Sequence, residues 1–167
     1  MREISFQNDI LPLKNEMFRM ALRITMNREE AEDVVQETMM KVWRRREEWP
    51  QIESMEAFCM TICRNLSLDK LRLMDNQSQS LDDDYDPIDR SRNANPEELA
   101  IQNDRARLVR QLISQLPERL RSCMQLRDIE GKSYRDIAEI IGITEQQVKV
   151  NIFRARQAIR ERFQQIR

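Results

Sequence analysis

Lys149, Asn151, Arg154 and Arg156 fall within eight consecutive residues, and Thr144 and Gln146 stand just before them. Lysine and arginine can donate to phosphate oxygens, and asparagine and arginine can also pair with base edges. Such chemistry recognises a polyanion without making or breaking a bond. Groups suited to covalent or acid–base work are sparse. Histidine is absent, which removes the commonest general base and metal ligand. Cys59 and Cys63 are four apart, on one face of a helix, as two metal ligands could be. No third ligand stands near them, and free core cysteines are the better reading. Asp82, Asp83 and Asp84 form an acidic run of the kind ordinarily left in water. No catalytic residue, cofactor or metal is therefore expected.

Residues 134–153, YRDIAEIIGITEQQVKVNIF, supply the frame for the basic cluster. Ala138 is small, Gly142 follows four residues on, and Val148 six further, with Ile137, Ile141 and Ile143 in the apolar slots between. The spacing predicts a helix-turn-helix. Ala138 permits close helix approach, Gly142 permits a left-handed turn, and Val148 turns the second helix inward. Both helices carry start signals. Ser133-x-x-Asp136 resembles a capping box with Asp in place of Glu, and Thr144-x-x-Gln147 fits the box itself. The second helix then leaves Lys149, Asn151, Arg154 and Arg156 free to meet DNA. The alternative is an ordinary tight helical hairpin.

Composition sets the class. The 167 residues hold only two glycines and are 34% charged, which favours an all-helical protein of one domain or two small ones. There is no apolar run long enough to span a bilayer and no apolar N-terminal signal, so a soluble, cytoplasmic protein without membrane insertion is expected. Three cysteines argue against a disulfide framework. The net charge of −1 hides an asymmetry: residues 1–74 carry −1, residues 75–99 carry −6 and residues 100–167 carry +6. The C-terminal part suits a polyanion, and the middle reads as a solvated acidic linker.

The expected architecture is all-α, in two small helical domains. Residues 1–74 form a three-helix bundle. Its first helix, from Asp9, turns Ile10, Leu13, Met17, Ala21 and Ile24 inward. Asn27-x-x-Glu30 caps a second, with Ala31, Val34, Val35, Thr38 and Val42 inward, and Ser54 caps a third that runs to about Met74. Residues 75–95 are the flexible acidic linker. Asn95, Pro96 and Glu98 restart helix, and residues 96–167 form a four-helix domain containing the helix-turn-helix. Two further surfaces stand out. Asp33, Gln36, Glu37, Met40 and Lys41 lie outside the second helix's buried stripe, as a solvated face with a Glu37–Lys41 pair would. Arg64, Asn65, Asp69, Lys70 and Arg72 lie on the polar side of the third helix, where nucleic-acid contacts and a plain polar surface both fit.

Taken together, these segments resemble a bacterial RNA polymerase sigma factor of the extracytoplasmic-function type. Residues 28–45, REEAEDVVQETMMKVWRR, resemble the family's segment that docks on the β′ clamp helices. Residues 57–72, AFCMTICRNLSLDKLR, resemble its segment that melts and reads the −10 element. Residues 116–160 resemble its −35-reading domain. The three come in the family's order and cover nearly the whole chain outside the linker. The resemblance implies a non-enzymatic transcription initiation factor with only the second and fourth sigma regions. Its partners would be core RNA polymerase, through the β′ clamp helices and β flap, and promoter DNA, with room for an anti-sigma factor.

The resemblance also assigns residues. Asp33, Gln36, Glu37 and Met40 become the polymerase-binding set. Trp49, Arg64, Asn65, Asp69 and Arg72 become the −10 set, with Trp49 in the loop that holds a flipped base. Lys149, Asn151, Phe153 and Arg154, with Arg156, Thr144 and Gln146, become the −35 set. Val150 departs from the small polar residue often found at its position. A rival from another class is a stand-alone helix-turn-helix regulator with an N-terminal oligomerisation bundle, which would bind palindromic DNA without polymerase.

Overall fold

Asparagine 27 shows how closely local sequence dictates the start of an element. Its side chain accepts a hydrogen bond from the Glu30 amide at 3.0 Å and opens a helix over Arg28–Arg44. In the computed structural model, residues 3–80 and 104–165 are described, and among them every regular element is helical. The helices are α1 (Lys14–Thr25), α2 (Arg28–Arg44), α3 (Met55–Ser80), α4 (Asp104–Ser114), α5 (Glu118–Met124), α6 (Tyr134–Ile141) and α7 (Glu145–Gln165).

The first helix begins later than its apolar periodicity suggests. Residues Phe6–Ile10 form a wide π-type turn and Leu11–Leu13 a 3-10 turn before α1 starts at Lys14. Pro12 has no amide hydrogen to donate, so a regular ladder cannot run through it. At its other end α1 stops on Met26, whose φ of 54° is left-handed without a glycine. The loop before α3 is tighter than expected, with a 3-10 turn over Arg46–Gln51. Ser54 accepts from the Ala57 amide at 3.1 Å and starts α3.

α1, α2 and α3 pack against one another. The expected inward stripe is the buried one: Ala31, Val34, Val35, Thr38 and Val42 on α2 meet Met17, Ala21 and Ile24 of α1 and Cys59, Ile62 and Leu66 of α3 in one core. Removing each such Val, Ile, Leu or Met side chain from water stabilises the fold by roughly 1.5–3 kcal/mol before the cost in chain entropy. Thr38 spends its hydroxyl on the Val34 carbonyl at 2.6 Å, which lets a polar residue sit in the stripe. Cys59, Cys63 and Cys123 are buried free thiols.

Two expectations concern the middle of the chain. α3 runs to Ser80, past the expected end near Met74, so residues 75–80 of the expected linker are helical. The rest of the linker, and residues 96–103 of the helix expected to follow it, lie outside the described residues. Beyond them α4 and α7 share a smaller core of Leu112, Ile113, Leu116, Ala155 and Ile159. The larger core is not confined to the N-terminal bundle. Cys123, Leu126, Ile137, Ile140, Ile141, Val148 and Ile152 belong to the same buried cluster as α1–α3, and α6 packs directly on α3.

Candidate nucleic-acid and polymerase interfaces

The turn between α6 and α7 is built as its residue types dictate. Ser133 Oγ accepts from the Asp136 amide at 3.1 Å. Gly142 takes φ 80°, and the amides of Gly142 and Ile143 both donate to the Ala138 carbonyl, at 2.8 and 3.1 Å. Thr144 Oγ1 accepts from the Gln147 amide at 3.1 Å, while Gln147 Oε1 accepts from the Thr144 amide at 2.9 Å. Two of the orphan donors at the start of α7 are thereby satisfied by a reciprocal capping box. Val148 is fully buried and orients the helix. The helix-turn-helix thus presents the outer face of α7 to solvent.

That face is more differentiated than spacing alone implies. Thr144, Gln146, Lys149, Phe153, Arg154 and Arg156 are exposed, and Phe153, a large apolar group, is 67% exposed. Arg154 and Val150 line an open concavity with Arg119 of α5, Ile143 and Gln146. Asn151, expected to be free, is only half-exposed, with its amide nitrogen 3.9 Å from Cys123 Sγ. Arg156 is exposed but engaged: its Nε donates to Asp128 at 3.1 Å, and that bond raises its pKa. Lys149 holds its ammonium 5.3 Å from the Tyr134 ring centre. Arg154 and Phe153 therefore stand exposed on this face, while Arg156 is tied to Asp128.

The other set lies on and before α3. Asn65, Asp69 and Arg72 are exposed, with Arg72 3.8 Å from Asp69. Arg64 is buried against Glu118 of α5, at 3.0 Å. Trp49 is buried too: its Nε1 donates to the Val42 carbonyl at 3.1 Å, so in this arrangement its face is not offered to a base. The exposed aromatic of this corner is Trp43, which sequence reasoning passed over. It sits edge-on to Phe6 and Trp49, at 5.8 and 6.0 Å, with the Arg46 guanidinium 4.7 Å above its ring. Trp49 is the better-packed indole because it lies within the Arg46–Gln51 turn that folds back on α2, a tertiary fact with no local signal.

On α2, Asp33, Gln36, Glu37 and Met40 are all exposed, opposite the buried valines. Met40 at 54% and Trp43 at 48% exposure add apolar area to an otherwise charged face. Among the described residues no cluster of histidine, cysteine or carboxylate side chains could hold a metal. Burial pushes the Cys59 and Cys63 thiols up to about 12, far from the thiolate that nucleophilic or metal chemistry needs. No helix among the described residues is long and apolar enough to cross a membrane.

Fold and surfaces define a helical protein that pairs a helix-turn-helix with a three-helix bundle carrying separate polar and apolar faces. The sigma-70 region 2 family matches residues 10–75, and the sigma-70 region 4 family matches residues 106–159. The chain is 30% identical over 160 residues to the RNA polymerase sigma-H factor of Pseudomonas aeruginosa, covering 90% of this chain and 83% of that one. It is 31% identical over 146 residues to the ECF RNA polymerase sigma factor SigE of Mycolicibacterium smegmatis, covering 87% of this chain and spanning 56% of that relative's length. In fold it is similar to the sigma factor RpoE of Bartonella quintana, solved with the anti-sigma factor NepR. The TM-score is 0.70 at 22% identity, over 93% of this chain and 94% of that one. CnrH, solved with the cytosolic domain of CnrY, gives the same TM-score at 19% identity, over 95% and 87%. The chain belongs to the sigma-70 family of RNA polymerase sigma factors, in its extracytoplasmic-function group.

Proposed function

We propose that the protein binds core RNA polymerase and directs it to promoters, reading a −35 element with α7 and a −10 element with α3 and the loop before it. The carrying observation is the pairing of a doubly capped helix-turn-helix, whose α7 exposes Arg154 and Phe153, with family membership across both lobes. Asp33, Gln36, Glu37 and Met40 form the face for the β′ clamp helices, and the C-terminal lobe meets the β flap. Arg64, Asn65, Asp69 and Arg72 serve the −10 strand, and Trp49 reaches a base only if its corner rearranges. The −35 set is Thr144, Gln146, Lys149, Asn151, Phe153, Arg154 and Arg156. The polymerase supplies all the chemistry, so the chain is not an enzyme. It acts in the cytoplasm, where an anti-sigma partner has access to it, as NepR has to the sigma factor RpoE in the solved complex.

Reconstitution tests this. Purified chain, core polymerase and a genomic promoter library should give discrete runoff transcripts, absent when either protein is omitted. A stand-alone regulator would bind palindromic DNA tightly by itself and give no core-dependent transcript, and that outcome would overturn the proposal.

A further inference from the structure

Val150 is an apolar side chain on the outer face of α7 that belongs to neither buried cluster. It is 40% exposed and lines the concavity beside Arg154 and Gln146. Gln146, Val150 and Arg154 are four residues apart in turn, so they stack along one face of the helix. Phe153, still more exposed, flanks them. The side chains that hold α7 in place are others: Val148, Ile152, Ala155 and Ile159 are its buried residues. A β-branched residue at an exposed mid-helix position also forms helix less readily than alanine, lysine or glutamine. Neither packing nor propensity therefore accounts for a valine here.

The chemistry of an isopropyl group at this place is narrow. It neither donates nor accepts a hydrogen bond, so against a base edge it recognises only an apolar group. The major groove offers one such group, the C5-methyl of thymine. Set against a purine N7 or a cytosine amino group, the same contact strips water from a polar atom and returns no hydrogen bond. Asn151, the neighbour whose side chain could pair with adenine, is half-exposed and keeps its amide nitrogen 3.9 Å from Cys123 Sγ. The polar partner on the face of Val150 is Arg154, one helical turn on. A turn is roughly 5.4 Å along the axis, a little under two base-pair steps of about 3.4 Å.

We propose that Val150 is a specificity-determining residue of the −35 reading face and selects a thymine by its methyl group. The inference rests on the initiation function proposed above and adds Val150 to the residues that read the duplex. The thymine lies within about two base pairs of the pair that Arg154 contacts. Loss of the isopropyl group changes which base is preferred more than how tightly DNA is held, because contacts to the phosphates remain.

The test uses the full chain assembled with core polymerase, and the probe is promoter duplex at fixed salt. Duplexes randomised across the −35 region are selected for binding. Each thymine of the enriched sequence is then replaced by deoxyuridine, which removes the methyl and leaves base pairing unchanged. One such replacement should weaken wild-type binding about fourfold, the factor for one methyl withdrawn from an apolar contact. Val150→Ser should bind the thymine and deoxyuridine duplexes equally. Val150→Thr keeps one side-chain methyl and should show a reduced penalty, so a folding failure of the serine variant still leaves a decisive measurement. Phe153→Ala, whatever its overall affinity, should keep the fourfold penalty. The role of Val150 is overturned if no thymine shows the penalty, if the penalty persists undiminished in the folded Val150 variants, or if it vanishes only with Phe153→Ala. Core-dependent runoff transcription from the wild type is scored in parallel. Transcripts from a −35 element that is insensitive to deoxyuridine reject the role of Val150 alone, and the absence of any core-dependent transcript rejects the initiation function itself.

Discussion

Among single residues, Arg154 and Arg160 make the sharpest comparison. Both are exposed on α7, but only Arg154 borders the concavity beside Val150 and Gln146. Arg154→Ala should weaken −35 duplex binding by about 1–3 kcal/mol and relax preference at one base pair, as loss of a base-edge contact does. Arg160→Ala should cost less and leave preference unchanged. Anisotropy titrations against single-base variants of the duplex decide it, and equal, sequence-blind losses would make Arg154 a phosphate contact. The cysteines give a second test at this scale. Burial raises the thiol pKa of Cys59 and Cys63 from the usual 9.0 to about 12. A raised folded pKa means the stabilisation is fully present below about pH 9 and is lost progressively as pH climbs toward 12. Urea midpoints should hold from pH 7 to 8.5 and fall above 9. Replacing both cysteines with alanine should flatten that fall, whatever it does to stability at pH 7.

Elements differ in how much they owe to one residue. The α6–α7 turn depends on Gly142, where φ is 80° and nothing lies within 4 Å of an added Cβ. Conformation alone therefore sets the cost of substitution. Gly142→Val should destabilise by about 1–2 kcal/mol, and Gly142→Asn by less, because asparagine tolerates the left-handed region. Urea titration of the two variants ranks them, and equal costs would mean the turn adjusts its φ. α2 behaves differently, because its two faces have separate tasks. Ala31, Val34, Val35, Thr38 and Val42 hold the bundle, and Gln36 and Glu37 face solvent. Replacing Gln36 and Glu37 with arginine should abolish co-elution with core polymerase while leaving the circular dichroism spectrum intact. A folded double mutant that still co-elutes would remove this face from the interface.

For the molecule as a whole, the shared core changes the expected unfolding. One buried cluster takes in residues from Ile10 to Ile152, so neither lobe completes its core alone in this arrangement. The only two tryptophans, Trp43 and Trp49, are both in the N-terminal bundle, so fluorescence reports that lobe while far-ultraviolet dichroism reports both. The two signals should give coincident urea transitions at low salt. Transitions that separate would show two lobes unfolding independently and would weaken the shared core as a description of the free protein.

What was legible in the sequence was everything decided within a few residues. The N-caps Asn27, Ser133 and Thr144, of which Thr144–Gln147 closes the full reciprocal box, the left-handed Gly142 and the inward stripe of α2 all form where their spacing puts them. Each depends on helical periodicity and on bonds that reach three or four positions. The family, too, was readable from the order of three motifs. Met26 ends α1 in a left-handed conformation that no glycine announces. Other features rest on contacts between distant segments. Trp49 is turned inward by the turn over Arg46–Gln51 while Trp43 stays half-exposed on α2, a difference that hydrophobicity alone cannot rank. Arg64 and Glu118 are 54 positions apart, and Arg19 and Glu130 are 111 apart, so nothing local pairs them. The sequence by itself determined which faces are polar and where the capped helices α2, α3, α6 and α7 start. Tertiary structure alone decided which of those polar faces meets water and which meets the other lobe, because that choice depends on a docking geometry carried by no single segment.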